Sequence, residues 1–118
     1  MGSEMCIRDR FCYRGGQLPI APVLADRAVR IATAAVECVP GLRGYVGVDV
    51  VLGDDGGDWA IEINPRLTTS YVGLRALARF NLAAAILAAV TGEPIPPLTW
   101  GDGSVTFTSD GQIEKRRS

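Results

Sequence analysis

The sequence predicts an α+β fold, antiparallel strands with helices packed against them, and three observations carry that prediction. Two strand-like stretches, residues 44–52 and 59–64, flank an acidic, glycine-rich turn, Gly53-Asp54-Asp55-Gly56-Gly57-Asp58. Between about Leu24 and Val39, the residues Ala28, Ile31, Ala32, Ala35, Val36 and Val39 recur at helical spacing. Apolar windows at 70–78 and 82–90 supply two further helices.

Composition narrows the chemistry before any motif is read. The chain has 118 residues, 47% apolar and 21% charged, so it can bury a core and is not of disordered type. A net charge of −1 gives no electrostatic case for nucleic acid or an anionic membrane as partner. Histidine is absent, which removes His-based triads, His-liganded zinc and imidazole bases. The three cysteines, Cys6, Cys12 and Cys38, are too irregularly spaced for a disulfide framework or a zinc site, so a reduced, cytoplasmic setting is the default expectation. The longest apolar run, 81–90, is too short to span a bilayer, and no secretory signal pattern opens the chain.

The elements follow in order. Residues 1–10 show no periodicity and resemble the spurious peptide made when sequencing-adapter DNA is translated; they are expected to be such an artefact or a disordered tail, with the natural N-terminal part missing. Phe11-Cys12-Tyr13 has strand composition and is expected to end at an Arg14-Gly15-Gly16 turn. Pro19 and Pro22 lead into the first helix, which Pro40-Gly41 stops. The run Thr68-Thr69-Ser70 offers N-caps for the second helix, Asn81 caps a third, and Gly92 ends it. Pro94, Pro96 and Pro97 force a loop. Val105-Thr106-Phe107 and Gln112-Ile113, around Asp110-Gly111, form a small closing hairpin within 101–118, and the tail Lys115-Arg116-Arg117 is solvated.

The central hairpin holds the chemistry. An Asp55-Gly56 pair at the tight centre of the turn places Leu52 opposite Trp59, Asp49 opposite Glu62, and Gly47 opposite Asn64. One face is then apolar throughout, with Val46, Val48, Val50, Leu52, Trp59, Ile61 and Ile63, and packs on helices. The other sets two carboxylates side by side, and like charges opposed across a ladder destabilise it. A hard divalent cation is the natural neutraliser, and an all-oxygen set of Asp49, Glu62 and Asn64 suits Mg²⁺ far better than zinc or copper. Mg²⁺ keeps several waters and works with one or two carboxylates plus substrate phosphates, so such a site implies a nucleotide triphosphate. Gly47 leaves open space opposite Asn64 for a ligand.

Arg66, just past the strand end, could grip phosphate oxygens bidentately. Thr68, Thr69 and Ser70 could donate to an anion at a helix start. Each has a plainer reading: an acidic outer face, an arginine paired with Asp58 or Glu62, and helix capping by at least one of the three hydroxyl residues. Tyr71, Arg75 and Arg79 either line the same cleft or cover a helix face.

The stretch from Gly44 through Asp49 to Leu52, followed by Ile61-Glu62-Ile63-Asn64-Pro65-Arg66-Leu67-Thr68-Thr69-Ser70-Tyr71, resembles the C-terminal part of an ATP-grasp domain. The Pro-Arg-Leu-Thr-Thr-Ser-Tyr extension is similar to the tyramine–glutamate ligase-like branch of that superfamily, and the resemblance covers about residues 11–92. It implies the C-terminal, N-terminally truncated portion of an ATP-grasp fold. Asp49 and Glu62 would hold a first Mg²⁺, Glu62 and Asn64 a second (Mn²⁺ could substitute), and Arg66 would stabilise the transferring phosphate or an acyl-phosphate intermediate. Asn64, Arg66, Thr68 and Thr69 would line the ATP phosphates.

The activity implied is carboxylate–amine ligation, with ATP and small-molecule carboxylate and amine substrates as partners, alongside a missing N-terminal lobe of the same enzyme. Two rivals stand beside it: another activity on that fold, such as a carboxylase or kinase-like enzyme, and a non-catalytic interaction module. Lys115 is the chain's sole lysine, so the lysines that hold adenine and phosphates in this superfamily are expected upstream. This polypeptide alone is therefore expected to bind ATP poorly and to be inactive.

Overall fold

The structure, a computed structural model, describes residues 2–7 and 11–117. The described chain divides into two compact units, and helices and antiparallel strands make up both, as the α+β prediction requires.

The first unit gathers the described parts of residues 1–20, 69–85 and 95–118. Its sheet has the order β1 (Gly2–Ile7), β2 (Phe11–Leu18), β5 (Ser104–Thr108), β6 (Ile113–Arg116), antiparallel throughout. Of residues 1–10, expected to be an artefact or a disordered tail, residues 2–7 pair with β2 as β1, and 1 and 8–10 lie outside the described residues. Arg14-Gly15-Gly16 is not a turn: β2 continues through it to Leu18, and Gly15 and Gly16 pair with Thr108 and Phe107. Gly15 adopts φ +151°, and a Cβ there would run into the Phe107 carbonyl, so the glycine marks a close backbone approach within a strand. Arg14 is the extra residue of a bulge in the β1–β2 ladder.

The helix α2 (Ser70–Leu77) lies against this sheet. Along β5, Val105 and Phe107 point inward and are buried while Thr106 and Thr108 face out, the period-two pattern of a half-covered strand. Leu18 joins them in the core. The ring of Phe107 fits under α2 because residue 73 is glycine: a Cβ there would sit 2.7 Å from Phe107 Cδ1 and 3.0 Å from Leu18 Cδ1. Glycine inside a helix costs about 1 kcal/mol in propensity relative to alanine, and burial of the ring outweighs it.

α2 stops because Ala78 turns to an extended conformation and bridges Trp100. Arg79 N donates to Thr99 O (2.9 Å) and Gly101 N to Leu77 O (2.7 Å), and Phe80 meets Trp100 edge-on with ring centres 5.1 Å apart. The proline-punctuated segment thus straps back onto the helix end before entering β5. The closing hairpin forms, but β5 pairs with β2, which makes the hairpin part of this sheet rather than an appendage.

A separate helix, α3 (Leu82–Thr91), follows, so the two-helix reading of 70–91 holds. Asn81 Oδ1 accepts from Ala84 N at 3.0 Å, the cap expected of it. Gly92 (φ +76°) ends the helix, with Glu93 N reaching back to Ala88 O at 2.9 Å. Residues 82–85 group with the first unit and 86–91 with the second.

The second unit holds residues 21–68 and 86–94. α1 (Pro22–Glu37) begins with proline at its first position, where a missing N–H costs nothing, and packs on both strands of a hairpin, β3 (Gly47–Leu52) and β4 (Asp58–Asn64). Arg27 belongs to the face of α1 turned to that hairpin. Its Nε donates to both Asp58 oxygens (3.2 and 3.3 Å), and Nη2 donates to Gly53 O (2.8 Å) and to Asp58 Oδ1. One guanidinium therefore ties the end of β3 to the start of β4. The bond to Asp58 raises the Arg27 pKa against the opposing effect of burial, with Asp58, Asp54 and Asp55 adding to the rise. Stability from a raised pKa is lost only as pH climbs through the folded value, here beyond the arginine range, so alkaline pH does not break this contact.

Candidate functional site

The central hairpin keeps the predicted register at its base and departs from it at its tip. Gly47 pairs with Asn64, Val48 with Ile63, and Asp49 with Glu62. Beyond a bulge the partners shift: Val50 pairs with Ala60, Val51 with Trp59, and Leu52 with Asp58 instead of Trp59.

The turn explains the shift. Gly56 N donates to Gly53 O (3.1 Å), Gly53 N donates to Gly57 O (2.7 Å), and Gly56 takes φ +84°. Asp54, Asp55 and Gly56 form a three-residue loop, not the two-residue Asp55-Gly56 turn predicted. Asp55 Oδ1 accepts from Gly57 N at 2.9 Å, the local bond that favours aspartate in turns. Ile61 is the residue left over, and it bulges out of β4 beside Glu62.

The bulge overturns the all-apolar face. Trp59 and Ile61, assigned to that face, are exposed (66% and 64%). Asp58 instead shares a face with Leu52, which is how Arg27 reaches it. Sequence reading missed that pair, although Arg27 lies four residues before Ile31, on the same helix face.

Asp49 and Glu62 remain direct cross-strand neighbours, and both are exposed. Glu62 has no cationic partner among the described residues, and neither has Asp49. Asp49 Oδ2 accepts a long bond from Asn64 Nδ2 (3.5 Å), and Asn64 is buried to 7% exposure. Asn64 Oδ1 accepts from Arg66 Nη2 (3.3 Å), while Arg66 Nη1 donates to Leu67 O (3.1 Å). Arg66 therefore pairs with neither Asp58 nor Glu62, and the surface ion-pair reading fails. No group of three or more His, Cys, Asp or Glu side chains among the described residues could hold a metal by itself. Two unneutralised carboxylates beside a carboxamide fit a hard cation whose remaining ligands come from water and phosphate.

Gly47 does not leave open space. A Cβ there would lie 2.7 Å from Thr68 Cγ2, and the Thr68 hydroxyl is itself bonded to the Tyr45 hydroxyl at 3.1 Å. The Thr68 methyl fills the gap. Gly47→Ala is expected to cost about 1–3 kcal/mol by overpacking and to be rescued by Thr68→Ser, which removes that methyl and keeps the hydroxyl. Thermal melts of the single and double variants check this.

Thr69 is the N-cap of α2 but makes no side-chain capping bond, so the capping role expected in this run is not seen there. Ser70 is the first residue of α2 and is buried. Thr69 and Ser70 fall in the first unit, as do Tyr71, Arg75 and Arg79. Tyr71 and Arg75 line one cavity of that unit and Arg79 another.

The sequence matches the ATP-grasp domain family model over residues 3–70, more than half of the chain. The chain belongs to the ATP-grasp family. The matched ATP-grasp region includes Asp49, Glu62, Asn64, Arg66, Thr68 and Thr69. The chain is 46% identical over 67 residues to a tyramine–L-glutamate ligase of Methanocaldococcus jannaschii, covering 57% of this chain and 21% of that protein. It is 48% identical over 63 residues to the tyramine–L-glutamate ligase of Methanocaldococcus fervens, covering 53% of this chain and 21% of that protein. This ATP-grasp chain thus spans about a fifth of the length of these relatives. No solved structure gives a significant match. Among its described residues, no helix is long and apolar enough to cross a membrane.

Proposed function

We propose that this chain is the metal-holding part of an ATP-dependent carboxylate–amine ligase, acting on substrates of the tyramine and glutamate kind. The observation that supports it best is the direct pairing of Asp49 with Glu62 without a cation from the chain to balance them. Asp49 and Glu62 would hold one Mg²⁺, and Glu62 and Asn64 a second. Bound there, Mg²⁺ supplies neutralisation of charge on the ATP phosphate oxygens.

The rest falls to the protein's own groups. A substrate carboxylate oxygen attacks the γ-phosphorus of ATP, ADP leaves, and an acyl phosphate forms. The amine then attacks the acyl carbon, phosphate leaves, and the amide remains. Charge builds on phosphate oxygens in the first step, so positioned donors carry most of the catalysis. The Arg66 guanidinium would exchange its bonds to Asn64 Oδ1 and Leu67 O for phosphate oxygens, a bidentate contact that lysine could not reproduce. Adenine and the remaining phosphate contacts would come from a part of the enzyme outside this chain, and the reaction belongs to a reduced, cytoplasmic setting.

The test is a titration of Mn²⁺ with ATP into the intact ligase carrying this segment, read by loss of the free-ion EPR signal. Asp49→Asn and Glu62→Gln should each weaken metal-dependent ATP uptake by about tenfold or more. Uptake unchanged in both variants would remove the site from this hairpin.

A further inference from the structure

The residues of the basic tail are exposed, as expected of them. Lys115, Arg116 and Arg117 line a cavity of about 750 Å³ in the first unit, together with Arg79 and the last turn of α2. That size is within the range of small-molecule sites. Four basic residues line it against one acidic residue, Asp102, in a chain whose net charge is −1; Lys115 is paired with the inward-facing Val105, whereas Arg116 contributes its carbonyl beside Gly103. Arg79 reaches Asp102 at 3.4 Å and Arg116 reaches Glu114 at 3.5 Å, all with exposed side chains, so both pairs are weak. Lys115 and Arg117 have no carboxylate partner among the described residues.

Cations beside a helix C-terminus can serve merely to balance its partial negative charge. Here that need is small, because Leu74 O already accepts from Ala78 N (2.9 Å) and Leu77 O from Gly101 N (2.7 Å). The cavity wall is also held in place by backbone. Gly103 (φ +92°) lies so close to β6 that a Cβ would meet the Arg116 carbonyl, and this fixes the end of β6 beside the 101–104 turn.

We infer that this cavity binds a small polyanion bearing two or more carboxylate or phosphate groups, with Arg79 and Arg117 as its principal ligands and Asp102 as a built-in competitor for Arg79. The site is separate in its residues from the Asp49–Glu62 hairpin and does not depend on the reading proposed for it.

Inorganic pyrophosphate and citrate, titrated separately into the 118-residue chain by calorimetry in metal-free buffer at low ionic strength, provide the test. At least one should bind saturably, and the preferred probe tells a phosphate ligand from a polycarboxylate. Arg79→Gln and Arg117→Gln should each weaken binding about tenfold. Asp102→Asn should tighten it several-fold, a gain that damage to the fold would not produce. Arg30→Gln, an exposed arginine of α1 in the second unit, should leave it unchanged. No saturable binding of either probe, or binding lost in Arg30→Gln but kept in Arg79→Gln and Arg117→Gln, overturns the inference.

Discussion

Replacing Glu62 by glutamine in the intact ligase is expected to lower amide formation by on the order of 10²–10³-fold, while the isolated chain melts no lower than before. The two outcomes share one cause. Glu62 stands opposite Asp49 with no cation from the chain between them, so in metal-free buffer the pair repels. Removing one charge relieves a cross-strand cost of about 0.2–1 kcal/mol, and the melting temperature should stay level or rise. In the intact enzyme, added Mg²⁺ with ATP should stabilise the unsubstituted protein and not the variant, because binding to the folded state alone raises its stability. A residue that served only to hold the hairpin together would behave the other way, losing stability and activity in parallel. A fall in melting temperature with activity retained would remove Glu62 from the ligand set.

Phe107→Ala is expected to have the largest effect on folding, about 3–5 kcal/mol. The ring is 3% exposed and lies beneath the bare backbone of Gly73, against Leu18. Little can collapse into the space: Gly73 has no side chain to move, and the Leu18 backbone is held in the β2–β5 ladder by its pairing with Val105. A cavity that cannot relax carries the full cost of truncation. Chemical denaturation of the 118-residue chain measures it, and Phe107→Leu should recover much of the loss. A cost below about 1 kcal/mol would mean that the first unit is held by something other than this contact.

The helices and both hairpins were legible because each rests on a local signal. Apolar spacing marks α1 and α3, and Asn81 and Gly92 mark the ends of α3 by the bonds their own side chain and backbone conformation permit. The pairing of Asp49 with Glu62 and of Gly47 with Asn64 was legible for the same reason. What escaped depends on partners distant in sequence or on a choice between near-equal local options. Gly53, Gly56 and Gly57 each permit a turn, and the three-residue loop over the Asp55-Gly56 alternative moved every pair at the tip by one residue. Gly15 and Gly16 read as a loop because their strand partners, Thr108 and Phe107, come from the far end of the chain. The pairing of Arg27 could not be read locally, because its partner Asp58 turns toward α1 only after the bulge has changed the facing of β4. The same limit applies to the tail: residues 115–117 are a plain basic run until Arg79 and Asp102 are set beside them.

The leftover residue at Ile61 separates the hairpin into two segments that answer to different demands. Toward the tip, the strands follow whatever the loop dictates, anchored by Arg27 on Gly53 and Asp58. Toward the base, Asp49 and Glu62 hold their places by their own ladder. A bulge absorbs one residue of slippage without passing it on, so the one-residue offset that the loop sets at the tip leaves the two carboxylates abreast. The hairpin works as a sliding joint: it shields the spacing of a charged pair from the variability that exposed loops accumulate.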